Sequence, residues 1–303
     1  MNKQTRVCWY ILGRKEDGEL MKEITVLGVR LSVTSKEEIR RAVKAAVDNR
    51  QKLAMVAVNA RKIVRAVEHE ETRRLLDTFD VFLADGAAVV KAAQEPVERI
   101  TGVDLMEDLC AHAADLGLSI FLYGALLSNN LKAQEVLRSR YPDIRIVGHC
   151  SGYEDDDVVE QINASQANIV FVAKGTPAQE RWIAENKEKT CANVYLGVGG
   201  AFDILSGSLI RAPRWIQNLG FEWLFRMVLE PRRFSQLPEL FRFERMIRKE
   251  RKKRQVNENE SREERNQCSW TGVYRSADGG GPRSGGPSGQ GIRRQSEREG
   301  KPE

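Results

Sequence analysis

Apolar positions along this chain repeat with two periods that alternate from Met21 to about position 204. Short, nearly continuous apolar runs read as buried strands: "LAMVAV" (53–58), "DVFLA" (80–84), "LSIFLYG" (118–124), "IRIVGH" (144–149), "NIVFVAKG" (168–175) and "NVYLGVGG" (193–200). Between them lie stretches with apolar residues at helical spacing, among them "RKIVRAVEHEETRRLL" (61–76), "GVDLMEDLCAHAADLG" (102–117), "NNLKAQEVLRSRY" (129–141), "DVVEQINAS" (157–165) and "PAQERWIAENKE" (177–188). Ser35 and Glu38 have the spacing of a capping box, and Ile39, Val43 and Val47 behind them share one helical face. Strands apolar on both sides, alternating with amphipathic helices, predict an α/β fold: a mainly parallel, Rossmann-like sheet with helices on both faces.

That pattern divides the chain into four parts. Residues 1–20 precede any periodicity and read as an N-terminal extension, with Met21 opening the pattern in "MKEITVLGVRLSV" (21–33). Residues 21–204 are the α/β domain. Residues 205–254 read as a basic helical appendage, with thirteen Arg or Lys against five acids, a net of +8 that exceeds the +5 of all 303 residues. From 255 to 303 the composition turns to Gly, Ser, Pro and Arg without an apolar period, which predicts a disordered tail.

The totals narrow the function classes. Five cysteines, with no C-x-x-C pair, suit a reducing cytoplasm, and three histidines without metal-type spacing give no reason to expect zinc or another metal. No apolar run approaches the ~20 residues that span a bilayer, and the apolar patch near the start is too short for a signal-peptide core. The expectation is a cytoplasmic protein, neither secreted nor integral to a membrane.

Several polar residues stand where strands end: Asn59, Asp85 with Gly86, Tyr123 with Gly124, and Lys174 with Gly175. Taken singly, each reads as a turn or a cap. Open parallel sheets bring their carboxyl ends to one edge, however, and there the same residues would share a crevice. "GTPAQE" (175–180) follows a strand and opens a helix, with proline just inside the helix start, and such a terminus offers N–H groups to an anion. "GVGGAFDILSG" (197–207) is a second glycine-rich strand end, but it lacks the G-x-G-x-x-G spacing of a dinucleotide site. Arg99 at a helix start opposes the dipole, so it reads either as a solvated arginine or as the partner of an anionic ligand. Glu154 to Asp157 offers a D-x-D metal pattern superficially and a dipole-matched helix start more simply.

In the appendage, Trp215, Ile216, Leu219, Trp223 and Met227 would fall within about 120° of one helix, with Arg226 projecting inside that arc. Tryptophan beside arginine suits an anionic membrane surface; a nucleic-acid face and a homo-oligomer contact are the competing readings.

"FLADG", "ERITGVDLM", "FLYG", "GTPAQERWI", "GVGGAFDILSG" and "RAPRWIQNLGFEWLFRMVLEPRR" occur in the order and approximate spacing of the WecG/TagA/CpsF family, glycosyltransferase family 26, which the chain resembles from about Met21 to Phe234. The resemblance implies inverting transfer of an N-acetylmannosamine-type sugar from a UDP donor to undecaprenyl-diphosphate-linked GlcNAc at the cytoplasmic membrane face, in the synthesis of teichoic acid linkage units or related surface polysaccharides. No cofactor or metal is expected, because cations and backbone N–H groups can stabilise the departing diphosphate. It implies Asp85 as general base, with Asn59, Arg99 and Gln179 beside it in the catalytic set. Within the same motifs it points to Gly86, Tyr123 and Gly124, to Gly175, Pro177 and Glu180, and to Gly197, Gly199 and Asp203 as substrate-binding residues. From the appendage it adds Arg211, Arg214 and Arg226 for the acceptor diphosphate. The family's Thr-x-Asn stands here as Ala57-Val58-Asn59, with alanine in place of the threonine. A nucleotide-sugar enzyme of another reaction type and a basic nucleic-acid-binding module are the alternatives. No nucleic-acid partner is expected on the first reading.

Overall fold

A computed structural model describes residues 22–153, 156–213, 215–216 and 220–277 of the 303. Its centre is a six-stranded, wholly parallel sheet of β3 (Leu53–Val58), β4 (Val81–Ala84), β5 (Ser119–Gly124), β6 (Arg145–Cys150), β7 (Ile169–Ala173) and β8 (Val194–Gly197), in the order β4-β3-β8-β7-β5-β6. Alternation along each strand splits the core in two. Ala54, Val56 and Val58 of β3 point to the face covered by α2 (Ala60–Glu68), α3 (Glu70–Leu76), α4 (Ala87–Ala92), α7 (Val158–Ser165) and α8 (Ala178–Asn186); Leu53 and Met55 point to the face covered by α1 (Lys36–Asp48), α5 (Gly102–Leu116), α6 (Leu127–Arg140) and α9 (Ala201–Leu205). Helices on both faces explain why these strands are apolar throughout.

The capping box at the start of α1 is present: Ser35 Oγ accepts from the Glu38 N–H and the Glu38 carboxylate accepts from the Ser35 N–H, worth about 1 kcal/mol to the helix. The helical stretch expected over 61–76 is instead two helices, because His69 adopts extended angles between α2 and α3.

Residues 22–33 form an antiparallel hairpin outside the main sheet, β1 (Lys22–Val26) and β2 (Val29–Val33). Leu27 and Gly28 both have positive φ, 52° and 80°, which matches the twist of two strands joined by a two-residue turn. The hairpin lies against β4, and the Phe82 N–H donates to Ser32 Oγ at 3.0 Å, so the edge of the sheet is not left bare.

The chain divides into two units, one running to Glu250 and one from Arg251. The first includes most of the basic appendage: α10 (Glu222–Leu229), a 3-10 turn (Pro231–Gln236) and the start of α11 (Leu237–Ala277). These segments pack on the α/β body, since Met227, Phe243 and Ile247 are buried and Glu239 accepts from Arg61 and Arg65 of α2 at 2.8 and 2.9 Å. Half-buried on α11, the Glu239 carboxyl is pushed up by desolvation, but hydrogen bonds and charge from the two arginines hold it below its ordinary value.

Two expectations for the C-terminal part need correcting. A single helix through Trp215 and Met227 does not form, because Gly220 takes a φ of 77° and α10 starts only at Glu222. Disorder expected from 255 is also not found as far as Ala277, since α11 continues to that residue. Between 255 and 271 the sequence is rich in Glu, Arg, Gln and Asn with neither glycine nor proline, so the local chain has no reason to leave the helix. The remaining tail residues, and residues 1–20, lie outside the described parts.

Candidate active site

The helices after β3 and β7, α2 and α8, turn to one face, whereas α9, after the intervening β8, turns to the other. Connections that diverge in this way open a crevice at the carboxyl edge of a parallel sheet. The expected residues are distributed along that edge.

Asn59 and Asp85 stand one residue past a register pair, Val58 opposite Ala84. The Asp85 N–H donates to Val58 O at 2.9 Å, and the Ile100 N–H donates to Ala84 O at 3.0 Å. These two backbone bonds draw the segments carrying Asn59, Asp85 and Arg99 to one corner. Asn59 is the N-cap of α2, its Oδ1 accepting from the Lys62 N–H at 3.0 Å, so its amide nitrogen is the group it has left to offer a ligand. Asp85 is half-buried at the rim. Gly86 has a φ of 100°, with open space where a Cβ would stand, so the obstacle to any other residue is the backbone angle rather than crowding.

Arg99 reaches across to the appendage, and its Nη2 lies 2.5 Å from Glu222 Oε2 at the start of α10. Nearby, Arg211 Nη2 lies 2.6 Å from Asp104 Oδ1 in the first turn of α5. Burial pushes the Asp104 carboxyl up, but hydrogen bonds from Thr101 and Arg211 and the Arg211 charge outweigh it and hold the group below its ordinary value. Gly102, beside the N-cap Thr101, lets α5 close onto the end of β8: an added Cβ would lie 3.3 Å from Gly197 O.

Gln179 is almost fully enclosed behind the glycine turn after β8 rather than open to the crevice. Its Oε1 accepts from the Gly199 N–H at 2.9 Å, and its Nε2 donates to Glu180 Oε1 at 2.9 Å. Gly197 is required there, because a Cβ would come within 2.7 Å of that Nε2. Glu180 is likewise buried and pairs with Lys62 at 2.7 Å, a residue that no sequence motif indicates.

Gly175 has a φ of 71° and the Thr176–Pro177 peptide is cis; Pro177 is the N-cap of α8, one position before the helix proper. Tyr123 is fully buried, its ring 4.8 Å from that of Trp182 and its hydroxyl accepting from Lys174 Nζ at 2.8 Å, so its ring belongs to the core and not to the crevice wall. Gly124, with a φ of 126°, allows a close approach in which a Cβ would clash with Ala173 O at 2.4 Å. Asp203, on α9, accepts from Asn129 Nδ2 of α6 at 2.7 Å, at the far side of the crevice.

Arg214, Glu154, Asp155 and Leu219 lie outside the described residues, and of Arg226 only the backbone, within α10, is described. On α10 Met227 faces inward at 5% exposure, while Trp223, Leu224, Val228 and Leu229 are exposed, Val228 at 69%. Among the described residues no helix is long and apolar enough to cross a membrane.

Over residues 24–257 the sequence matches the Glycosyl transferase WecG/TagA/CpsF family. The chain belongs to this family. The matched span takes in most of the hairpin, the whole parallel sheet, α10 and the first part of α11, so the appendage falls within the family match as the sheet does. A member is a glycosyltransferase. Of the residues expected in the catalytic set, Asp85 stands at the rim, Arg99 is bound to Glu222 and Gln179 is enclosed. Sequence reasoning missed Lys62 and Glu222. Lys62 had no signal beyond its place in the first turn of a helix that begins at a strand end, and Glu222 none beyond being the first acid after Asp203, past eighteen acid-free residues.

Proposed function

We propose that this glycosyltransferase moves N-acetylmannosamine, or a closely related sugar, with inversion from a UDP donor to undecaprenyl-diphosphate-linked GlcNAc, as a peripheral protein on the inner face of the cell membrane. The product would enter teichoic acid linkage units or a related surface polysaccharide. The observation that carries this reading is the corner at the ends of β3 and β4, where a half-buried carboxylate, an amide and a guanidinium stand on segments tied by the Asp85 to Val58 and Ile100 to Ala84 backbone bonds.

A sugar hydroxyl has a pKa far above 7, so it needs a base as it attacks. Asp85 takes that proton while the acceptor oxygen bonds to the anomeric carbon. The anomeric bond to the donor phosphate breaks, and its electron pair leaves with UDP. Arg99 and the Gly200 N–H of the glycine turn after β8 are suited to stabilise the charge that accumulates on the diphosphate. No step calls for a metal: chelator should leave the rate unchanged, and a loss restored by magnesium counts against the reading.

The exposed apolar residues of α10 and the basic start of α11 support docking at an anionic membrane, each well-placed basic residue contributing about 1 kcal/mol. The deciding assay combines purified protein, UDP-N-acetylmannosamine and a short-chain lipid-diphosphate GlcNAc, with mass detection of the disaccharide and a panel of other UDP-sugars alongside. Product from N-acetylmannosamine is expected; no product from any UDP-sugar rejects the proposal.

A further inference from the structure

We infer that Lys62 is a positioning residue for the transfer, acting through Glu180 to hold Gln179 and the glycine turn after β8. This rests on the transferase reading, in which that turn faces the donor diphosphate.

The contacts form one continuous path. Lys62 Nζ lies 2.7 Å from Glu180 Oε1 and donates to Ala57 O at 2.6 Å. Glu180 Oε1 also accepts from Gln179 Nε2 at 2.9 Å and from Thr176 Oγ1 at 3.2 Å. Gln179 Oε1 then accepts from the Gly199 N–H at 2.9 Å. The path starts at the end of β3, two residues before Asn59, and finishes in the turn after β8. It thereby joins the corner that holds the base to the turn that would hold the leaving group.

The pair makes poor sense as a stabilising device. Both side chains are enclosed, at 6% and 3% exposure, where desolvation of two charges roughly cancels their attraction and an apolar pair of the same volume would do as well. Glu180 Oε2 is moreover buried without a hydrogen-bond partner among the described residues, a cost that a purely structural element would avoid.

What an apolar pair could not do is orient an amide. A glutamine side chain fits its cavity in either of two flips, but a carboxylate only accepts hydrogen bonds. Glu180 therefore takes Nε2 and turns Oε1 toward Gly199. Lys62 supplies the positive charge that a buried carboxylate requires, and its bond to Ala57 O anchors that charge to β3. Ala57 meets the lysine through its backbone carbonyl, so the brace does not depend on the side chain at 57.

The test is the double variant Lys62→Met/Glu180→Gln, in which neither charge is left uncompensated and the amide at 179 is free to flip. Two readouts are taken: backbone amide exchange of the segment 194–205 in the substrate-free protein, and kcat and KM for the UDP-sugar. The expected result is faster exchange in 194–205 with exchange in α5 unchanged, and kcat lowered about tenfold or more while the donor KM moves less than about threefold, since a misplaced turn weakens the transition state more than the ground state. Should this variant melt more than about 10 °C below the wild type, the apolar pair Lys62→Met/Glu180→Leu is read in its place by the same measurements. Wild-type exchange in 194–205, or wild-type kcat, in the folded double variant overturns the inference. A wild-type protein with no transferase activity defeats the functional reading alone, and the exchange result then decides by itself whether Lys62 holds the turn.

Discussion

Glu222 holds Arg99: the first carboxylate of α10 lies 2.5 Å from the guanidinium that follows β4, so the appendage and the candidate active site share an ion pair. Both side chains are largely enclosed, which lifts the contact above the near-zero worth of an exposed pair. The helix whose outer face is Trp223, Leu224, Val228 and Leu229 is thus also the helix that sets the position of Arg99.

Replacing Glu222 by alanine should therefore lower stability by about 1–3 kcal/mol, as expected when one partner of a charged hydrogen bond is removed. It should also reduce kcat/KM, because Arg99 loses its tether. Thermal unfolding and steady-state kinetics on the same preparation check both; unchanged kinetics would detach α10 from the chemistry.

Asp85→Asn keeps the size of the side chain and leaves the backbone bond from residue 85 to Val58 O in place. Folding should be unaffected while turnover falls by about 10²-fold or more, the usual contribution of a positioned base. Wild-type turnover in a variant that melts with the wild type would remove Asp85 from that role.

At the opposite edge of the sheet, Asp80 accepts from the Ala54 N–H at 2.8 Å. Desolvation raises its carboxyl above the ordinary value, outweighing the Lys187 and Arg30 charges and the hydrogen bond that act to lower it. The folded protein thus binds this proton more tightly than the unfolded chain, so the contribution is stabilising below the ordinary carboxyl range and is lost as pH rises through the raised value. Asp80→Asn, whose carbonyl can still accept from Ala54, should be at least as stable as the wild type at pH 7 and show a flatter stability profile from about pH 4 upward. Denaturant melts across that range measure it, and a marked loss of stability at pH 7 would contradict it.

The outward residues of α10 offer a separate handle on membrane docking. Trp223→Ala with Val228→Ser should weaken sedimentation with vesicles containing anionic lipid, because both side chains are exposed and neither is part of the core. Transfer to a short, water-soluble acceptor should continue at the wild-type rate. Equal binding of variant and wild type to vesicles would mean that another surface makes the contact.

The α/β architecture was legible because its signals are local. The run 53–58 is β3, the 102–117 stretch is α5 with Gly117 as a left-handed cap, and Ser35 with Glu38 caps α1, each decided by side chains within a few positions of one another. The hairpin at 22–33 has its short-range sign in Leu27-Gly28, a turn signal that the apolar period does not carry.

The site residues divide along the same line. Asn59, Asp85, Gly86 and Gly175 could be placed at the carboxyl edge from sequence because each follows an apolar run, and strand ends in a parallel sheet share an edge. Their surroundings could not be found. Nothing near Gln179 says that its amide points at Gly199 rather than into the crevice, and nothing near Tyr123 says that its ring lies against Trp182.

By itself, then, the sequence determined the kind of elements, their order and the residues at their ends, since those follow from spacing and backbone preference within about ten positions. Only the tertiary structure decided that β8 inserts between β3 and β7, that Lys62 meets Glu180 across 118 positions and that Arg99 meets Glu222 across 123. The reason is that pairing over such separations depends on how whole strands and helices pack, and many chains with the same local pattern could close their charges differently.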